Sequence, residues 1–464
     1  MKRTLAAAAF VLAAIPAAAG VYTATKHGST TTGAQRLGTE PRGDCAQCHD
    51  EHASRDGAPT GGPFPYALFA ADDNALCATC HAGSAANGIY TGSAAYAGSS
   101  HSTGNTIWPG PTPPSRPSSD AGKCVNCHDP HGRSDVSGLI PSMTVAREES
   151  LCLPCHDGSP ATKNVSAQFS KTYRHPIATA GKHNEAEAGD PTKFAASPTN
   201  NRHSECADCH NPHAAASDRF APTAPSISNR LLGVGRVRVT NGAAGTKPVY
   251  TYLGPGDPSP AGEYQICFKC HSSWTTQPGT ATDLGVLLNL NNPSFHPVEA
   301  QGKNRNINAN SFVNGWTWDK LTYCTDCHSS DDATVRGPHG SSWQYILKLS
   351  SIASPARRAT VMASTELCFA CHSYATYANN GSSNTVKGYS RFNPPQLSQG
   401  HTYHVGSQRY SCYNCHASHG SATRPSLIVT GRNPGITSYT QTANGGTCTP
   451  TCHGSESYTV NYAR

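Results

Sequence analysis

Apolar residues form only one long run in this 464-residue chain, close to its amino terminus. Lys2 and Arg3 precede an apolar run at residues 5–15, and three alanines follow at residues 17–19. A charged start, a short apolar run and a small-residue end are typical of a cleaved secretory signal peptide. The run is also too short to cross a bilayer as a helix. We therefore predict a signal peptide at residues 1–19, a mature region at residues 20–464, and no membrane anchor.

The remaining chain shows little of the periodicity that marks long helices or strands. Alternating residues at 236–240, inside an insert at residues 226–252, predict a short strand. The stretch 108–119 is rich in Pro, Gly and Ser and is typical of a surface loop. With 43 Gly, 34 Pro and a hydrophobic fraction of 36%, the chain offers few side chains for an apolar core. We expect mostly coil with short helices and little strand, built around something other than side chains.

All 20 cysteines fall into ten copies of one pattern, in which a histidine directly follows the second of two cysteines. Nine copies read C-x-x-C-H, and the tenth has one extra residue between its cysteines. The copies are Cys45/Cys48/His49, Cys77/Cys80/His81, Cys124/Cys127/His128, Cys152/Cys155/His156, Cys206/Cys209/His210, Cys267/Cys270/His271, Cys324/Cys327/His328, Cys368/Cys371/His372, Cys412/Cys415/His416 and Cys448/Cys452/His453.

C-x-x-C-H is the attachment signature of a c-type heme. Its two thiols form thioethers with the porphyrin, and the adjacent histidine becomes the proximal ligand of the iron. Structural disulfides would not require these histidines, and zinc ribbons do not place one directly after every cysteine pair. We therefore expect ten covalent hemes c, attached through the motif cysteines and bound on the proximal side by the motif histidines.

Histidine is also the best-supplied candidate for the second, distal ligand of each iron. The chain has only three Met but 23 His, ten of which belong to the motifs. Methionine ligation, which raises the reduction potential, is therefore not available to most irons. We expect low-potential hemes with two histidine ligands each.

The motifs alternate between two kinds, and this alternation defines five repeats. The odd motifs, which start at Cys45, Cys124, Cys206, Cys324 and Cys412, have a polar residue before their second cysteine. The first four even motifs have an aliphatic residue before their first cysteine. Such self-similarity indicates an array of like units. We place repeats one to five, with two hemes each, at about residues 20–97, 98–165, 166–285, 286–390 and 391–464, and number the sites 1 to 10 in chain order.

Each odd motif has one histidine upstream and one downstream, which together supply ten predicted distal ligands. The upstream set is His27, His101, His175, His296 and His404, with His401 as the alternative to His404. The downstream set is His52, His131, His213, His339 and His419. Four downstream histidines lie three residues after the motif, a span of about 10 Å at most. That is too short to round the porphyrin, so we expect each to ligate the even heme of its own repeat, and the upstream histidine to ligate the odd heme.

These motifs resemble those of a known family. Residues 124–132 read Cys-Val-Asn-Cys-His-Asp-Pro-His-Gly, and residues 151–156 read Leu-Cys-Leu-Pro-Cys-His. This pairing is similar to the doubled-CXXCH multiheme cytochromes, which include outer-surface decaheme-type cytochromes and extracellular cytochrome filaments of metal-reducing bacteria. The likeness runs through the mature chain, although repeat four spaces His328 and His339 more widely and repeat five ends in C-x3-C-H.

The charge of the loaded protein differs from that of the bare sequence. The formal net charge is +6, but loss of Lys2 and Arg3, twenty propionates and ten ferric centres would bring the oxidised protein to about −6. This argues against nucleic acid or an anionic membrane as a partner. We expect the partners to be other redox proteins, extracellular electron acceptors, or copies of the chain in a head-to-tail polymer. The expected location is extracellular or on the cell surface, with the periplasm as the alternative.

The histidine supply favours an electron conduit over an enzyme. A reductase of nitrite, hydroxylamine or a sulfur oxyanion needs one iron with an open face, whereas all ten motifs end in His and further histidines outnumber the sites. A cytochrome subunit docked to a porin is the other alternative. One question stays open: His27 lies on the tail at residues 21–40, which could reach a heme of its own chain or of a neighbouring copy.

Overall fold

The computed structural model describes most of the region that follows the predicted signal peptide. The described residues are 22–50, 54–55, 58–59, 64–70, 73–81, 96–104, 122–136, 138–177, 204–217, 222–255, 257–274 and 282–464. The predicted signal peptide, the predicted loop at residues 108–119, and the histidines His52, His183 and His203 lie outside these residues.

The α-helices of the described chain are short. The longest is α1, Asp73–His81, which carries the second motif. The others are α2 Ser100–Thr103, α3 Glu148–Cys152, α4 Cys206–Cys209, α5 Glu263–Cys267, α6 Leu284–Leu287, α7 Cys324–Cys327, α8 Tyr374–Tyr377 and α9 Asn384–Lys387. Repeat five also contains a π-helix, Thr402–Ser407.

Short 3-10 turns account for most of the remaining regular backbone. Eight of them are Tyr22–Ala24, Cys45–Gln47, Cys124–Asn126, Ser166–Ser170, Asn229–Leu231, Ala309–Ser311, Leu367–Ala370 and Cys412–Asn414. Four further three-residue turns contain left-handed backbone and are called the left-handed turns below: Pro65–Ala67, Pro141–Met143, Gln344–Ile346 and Pro425–Leu427.

Strands are few and pair in small antiparallel sheets. They are β1 Ser54–Arg55, β2 Ala58–Pro59, β3 Ser134–Asp135, β4 Gly138–Leu139, β5 Tyr173–Arg174, β6 Arg236–Thr240, β7 Val249–Leu253, β8 Ser294–Phe295, β9 Gly340–Ser341, β10 Gly420–Ser421, β11 Ile436–Thr442, β12 Gly445–Pro450 and β13 Glu456–Thr459. The pairs are β1–β2, β3–β4, β5–β9, β6–β7 and β8–β10, and β11–β12–β13 form one three-stranded sheet. The strand predicted at residues 236–240 is confirmed as β6.

In repeats three to five, the polar residue that distinguishes the odd motifs stabilises the turn that carries the cysteines. Asp208 accepts a hydrogen bond of 2.8 Å from the backbone N–H of Glu205, and Asp326 accepts one of 2.8 Å from Tyr323. In repeat five, Asn414 accepts one of 3.0 Å from Ser411. These bonds satisfy backbone donors that are otherwise unpaired at the start of a turn. The sequence signal therefore has a local structural cause.

Two strand pairs join consecutive repeats. β5 of repeat three pairs with β9 of repeat four, and β8 of repeat four pairs with β10 of repeat five. Both approaches require glycine. A Cβ atom at Gly340 would lie 1.9 Å from the carbonyl oxygen of Gln168, and one at Gly420 would lie 1.8 Å from that of Leu287. This explains why glycine follows the downstream histidine in these two repeats.

Apolar side chains form two small clusters rather than one core. Val237, Phe268, Leu288, Phe295 and Val298 make up the first, around β6 and α5. Met362, Phe369, Ala378 and Val405 make up the second, next to the π-helix. The expectation of mostly coil with short helices and little strand is confirmed, and the small clusters leave most of the interior to the site described next.

Candidate functional site

Nine of the ten motif histidines lie opposite a second histidine ring, with ring centres 5.9–6.3 Å apart. The tenth, His372, has His296 within electrostatic range. In site order, the pairs are His49–His131, His81–His27, His128–His213, His156–His101, His210–His339, His271–His175, His328–His419, His372–His296, His416–His401 and His453–His404.

This spacing fits two imidazoles that bind one metal ion from opposite sides. Such rings have centres about 6 Å apart, because each metal–nitrogen bond is about 2 Å long. Burial favours the neutral, ligating form of several of these rings. It lowers the pKa of His372 to about 4 and that of His401 to about 3, with neighbouring histidines adding to the effect. A neutral imidazole has a free lone pair for a metal.

The cysteines and the paired histidines share one continuous cavity of about 5970 Å³. All 20 cysteines and all 20 paired histidines line this cavity, and none of the cysteines forms a disulfide. Divided among ten motifs, the volume is about 600 Å³ each, within the ~300–1,000 Å³ of typical small-molecule sites. The residues present therefore fit a covalently held porphyrin at each motif.

The partners of the paired histidines differ from those expected from the spacing. Each of the four described downstream histidines lies opposite the odd motif of the preceding repeat, as His131 does opposite His49. Each upstream histidine of repeats one to four lies opposite the even motif of its own repeat, as His101 does opposite His156. The expected pairing of downstream with even and upstream with odd sites was wrong. A downstream histidine sits directly beside its own motif, so it can turn back to the preceding repeat more easily than it can cross its own.

Repeat five supplies both of its distal rings itself. His401, at the start of the π-helix, lies 6.1 Å from His416. His404, inside the helix, lies 6.3 Å from His453. We expected only one of these two histidines to be a distal ligand, whereas the structure places each of them opposite a different motif histidine. With both in use, each motif histidine already has a partner other than His52, whose predicted ligand role stays a prediction.

The tail that carries His27 packs against its own chain. The His27 ring centre lies 5.9 Å from that of His81, and Thr25 is buried against Gly132. The Arg36 guanidinium lies over the Phe69 ring, 3.9 Å from its centre. The structure thus favours the own-chain alternative for this histidine.

Consecutive motifs lie side by side, so the sites follow one another in sequence order. Within repeats, the second cysteine of the odd motif approaches the even motif, and the pairs in electrostatic range are Cys48–Cys80, Cys127–Cys155, Cys209–Cys267, Cys327–Cys371 and Cys415–Cys448. Between repeats, first cysteines are in hydrogen-bonding contact in the pairs Cys152–Cys206, Cys267–Cys324 and Cys368–Cys412. Sites 2 and 3 are joined by the Asn74 side chain, which accepts a bond of 2.9 Å from the Cys124 N–H.

At odd sites, a backbone carbonyl holds the proximal imidazole. His49 donates from Nδ1 to the carbonyl of Tyr66 at 2.8 Å. The same bond occurs at the other four odd sites, from His128 to Ser142, His210 to Arg230, His328 to Tyr345 and His416 to Ser426. Four of these five carbonyls belong to the left-handed turns. Sequence reasoning missed them, although Pro65, Pro141 and Pro425 begin three of the turns and gave a recurring signal.

At even sites, a carbonyl holds the distal imidazole instead. His101 donates from Nδ1 to Pro212 at 2.9 Å, and His296 donates to Ser418 at 2.6 Å. Each acceptor immediately precedes a downstream histidine. The carbonyls of Pro130 and Pro338 approach His27 and His175 in the same way and raise their pKa against the larger lowering by burial. The downstream histidine and the residue before it therefore contact both sites of the preceding repeat. The histidine ring faces the odd site, and the carbonyl before it faces the distal ring of the even site.

Comparison with known proteins agrees with this chemistry. The family model described as the doubled CXXCH motif matches residues 41–86 and 117–161, which carry the first four motifs. The match and the motifs indicate a heme-binding protein, and within that class a multiheme c-type cytochrome. No curated protein and no solved structure matches the chain. Within the described ranges, no helix is both long and apolar enough to span a membrane.

Proposed function

We propose that the protein binds ten covalent hemes c, each between two histidines, and conducts electrons along them in sequence order. The observation that carries the proposal is the set of ten histidine pairs, because each pair lies beside its own two cysteines in one continuous cavity. A heme iron exchanges one electron at a time. The family match covers the first four motifs, and the pairing of rings extends the same chemistry to the other six.

The chain's own residues do three things for such a conduit. The cysteines fix the cofactor covalently, and paired imidazoles close both faces of the iron to small-molecule ligands. Backbone carbonyls orient one imidazole of each pair, which keeps the proton on Nδ1 and Nε2 free for the metal. Cys267 lies beside Cys324 and Cys368 beside Cys412, so neighbouring sites are adjacent across these repeat boundaries.

The ring pairs favour a conduit over a reductase. A reductase requires an iron with one face open to substrate, whereas a second ring faces each motif histidine. We propose that the protein works outside the cytoplasm, at the cell surface or beyond it, and passes electrons to other redox proteins or external acceptors. A head-to-tail polymer of the chain would need a contact other than exchange of His27, since that ring lies opposite His81 of its own chain.

Intact mass of the secreted protein tests the number of hemes. We expect the mature chain plus ten hemes and no free thiol. The double variant Cys448→Ser/Cys452→Ser should lose one heme and keep nine, which controls for the C-x3-C-H motif. A mass of nine hemes in the unaltered protein would show that this motif is not used. A stoichiometric high-spin signal in electron paramagnetic resonance (EPR) of the oxidised protein would contradict the paired ligands and favour a reductase.

A further inference from the structure

The planes of the paired imidazoles alternate along the chain. At sites 1, 3, 5 and 7 the two rings are nearly parallel, with interplanar angles of 9°, 12°, 18° and 8°. At sites 2, 4 and 6 they are crossed, with angles of 54°, 83° and 53°. Sites 9 and 10, which take both distal rings from the π-helix, have intermediate angles of 28° and 30°.

The alternation follows the place where the backbone holds an imidazole. At odd sites the held ring is the proximal one, as in the bond from His328 to the carbonyl of Tyr345. At sites 4 and 8 the held ring is the distal one, as in the bond from His101 to Pro212. At site 10 both rings are held, His404 by the carbonyl of Gly400 and His453 by that of Gly454. A hydrogen bond to the second nitrogen of a ligating histidine fixes both its tautomer and its ring orientation. The imidazole rings at odd and even sites are therefore oriented by different hydrogen bonds.

At four of the five odd sites, the carbonyl that holds the proximal ring belongs to a strained, left-handed turn. In the left-handed turns, the carbonyl-bearing residues Tyr66, Ser142, Tyr345 and Ser426 have φ of 64°, 55°, 62° and 56°. The next residue in each turn is left-handed as well. Non-glycine residues in this region cost about 1–3 kcal/mol each and persist where the surrounding structure requires them. Of the ten described non-glycine residues with positive φ, eight lie in these four turns. The left-handed backbone aims a carbonyl at the proximal Nδ1 each time.

We propose that Tyr66, Ser142, Tyr345 and Ser426 are positioning residues whose left-handed backbone sets the proximal imidazole plane, and that sites 1 to 7 alternate between two electronic classes. At site 5 the carbonyl of Arg230 holds the proximal ring from a turn without left-handed backbone. The inference rests on the proposed function, because it concerns the iron that the imidazoles would bind. An imidazole interacts with the iron d orbital perpendicular to its ring plane. Parallel rings act on one such orbital and separate it from its partner, whereas crossed rings act on both and leave them close in energy.

The two classes differ in EPR of the oxidised protein. Parallel rings give a rhombic low-spin signal with three resolved features, and crossed rings give a broad low-spin signal with one very large g value. We expect both signals together, with the rhombic class from sites 1, 3, 5 and 7 and the large-g class from sites 2, 4 and 6. By its position in the repeat, site 8 should join the large-g class.

Two substitutions at one position test the turn. In Ser142→Val, a β-branched side chain opposes positive φ, so the carbonyl should swing away from His128. The rhombic signal should then lose about one heme equivalent while the protein stays low-spin, since both ligands remain. Ser142→Gly accepts the left-handed backbone and should leave the spectrum unchanged. Tyr345→Val and Tyr345→Gly repeat the test at site 7, where the Tyr345 side chain is 55% exposed and little packing is lost.

The outcomes separate this inference from the proposed function. A high-spin signal in the unaltered protein would overturn the paired-ligand function itself. A single low-spin class in a fully loaded, low-spin protein would leave that function standing and overturn the alternation. Valine variants that load ten hemes and keep the complete rhombic signal would show that the left-handed turns do not set the ring planes.

Discussion

Repeats one to four and repeat five obtain the second histidine ring of each site in different ways. In the first four repeats, the following repeat supplies the odd site with its second ring, and it also supplies the carbonyl that holds the distal ring of the even site. In repeat five, His401 and His404 of one π-helix face both motifs. Such helices are rare and are frequently found at functional sites. The difference shows that a repeat can take its second rings either from the repeat that follows it or from a helix of its own.

The largest effect should come from disturbing the boundary between repeats four and five. In Gly420→Ala, the added Cβ would lie 1.8 Å from the carbonyl oxygen of Leu287, and backbone atoms on both sides cannot yield without separating β8 from β10. We expect a loss of about 3 kcal/mol in stability, measured as a lower midpoint in thermal or guanidinium unfolding of the loaded protein.

The matched control for this substitution is Gly38→Ala, at a position where an added Cβ meets nothing within 4 Å. Its unfolding midpoint should stay near that of the unaltered protein. If Gly420→Ala unfolds at the same midpoint as this control, the strand pair does not hold the two repeats together.

A second pair of variants compares a ligand that crosses a boundary with one that does not. His419→Ala removes the distal ring of site 7 from repeat five, and His404→Ala removes that of site 10 within its own repeat. Each should convert about one heme to the high-spin state. Only His419→Ala should also speed amide hydrogen exchange in residues 340–350 of the preceding repeat, because it removes a link between repeats.

Equal exchange in the two variants would mean that ligation across a boundary adds nothing to its rigidity. A variant that stays fully low-spin would instead show that another residue takes the vacated position.

The smallest effect should come from the side chain that holds His401. Ser390 is buried, and its hydroxyl lies 2.7 Å from Nδ1 of His401. The distal rings His101 and His296 are held by backbone carbonyls, whereas His401 is held by a side chain and can therefore be tested by truncation. Ser390→Ala should cost about 1 kcal/mol of stability and broaden the low-spin signal of site 9 without producing high-spin iron. Ser455→Ala, at an exposed position of the same repeat, should have no effect. A high-spin signal in Ser390→Ala would mean that the hydroxyl is needed for ligation and not only for orientation.

The parts of the site that depend on local sequence could be predicted. The cysteine pairs, their histidines and the polar residue of the odd motifs act within four or five residues, so their spacing carries the information. The strand β6 was predictable for the same reason, since alternation at residues 236–240 reflects one face of a strand. Eight of the predicted distal histidines, counting His404 as chosen, have rings opposite a motif histidine, and His296 lies within electrostatic range of His372.

The parts that depend on contacts between repeats could not be predicted. Which ring faces which motif is decided by the way one repeat lies on the next, and spacing along the chain does not contain that information. The left-handed backbone at Tyr66 and Ser142 was hidden for a related reason, because neither residue type favours positive φ and tertiary contacts impose it. The joint use of His401 and His404 depends on how the π-helix lies against both motifs of repeat five, and spacing along the chain does not contain that information either.

The downstream histidine and the residue before it, which contact two sites of the preceding repeat, also fix the order in which the sites can be completed during biosynthesis. A chain is made from its amino terminus, and early segments can begin to fold before later ones exist. Site 1 cannot receive its second imidazole until His131 has been made, and site 7 must wait for His419. Each of repeats one to four therefore lacks the second ring of its odd site until the next repeat has been made. Repeat five already carries both second rings, because its own π-helix precedes its motifs. A protein truncated between repeats would thus leave an incomplete odd site at its new end.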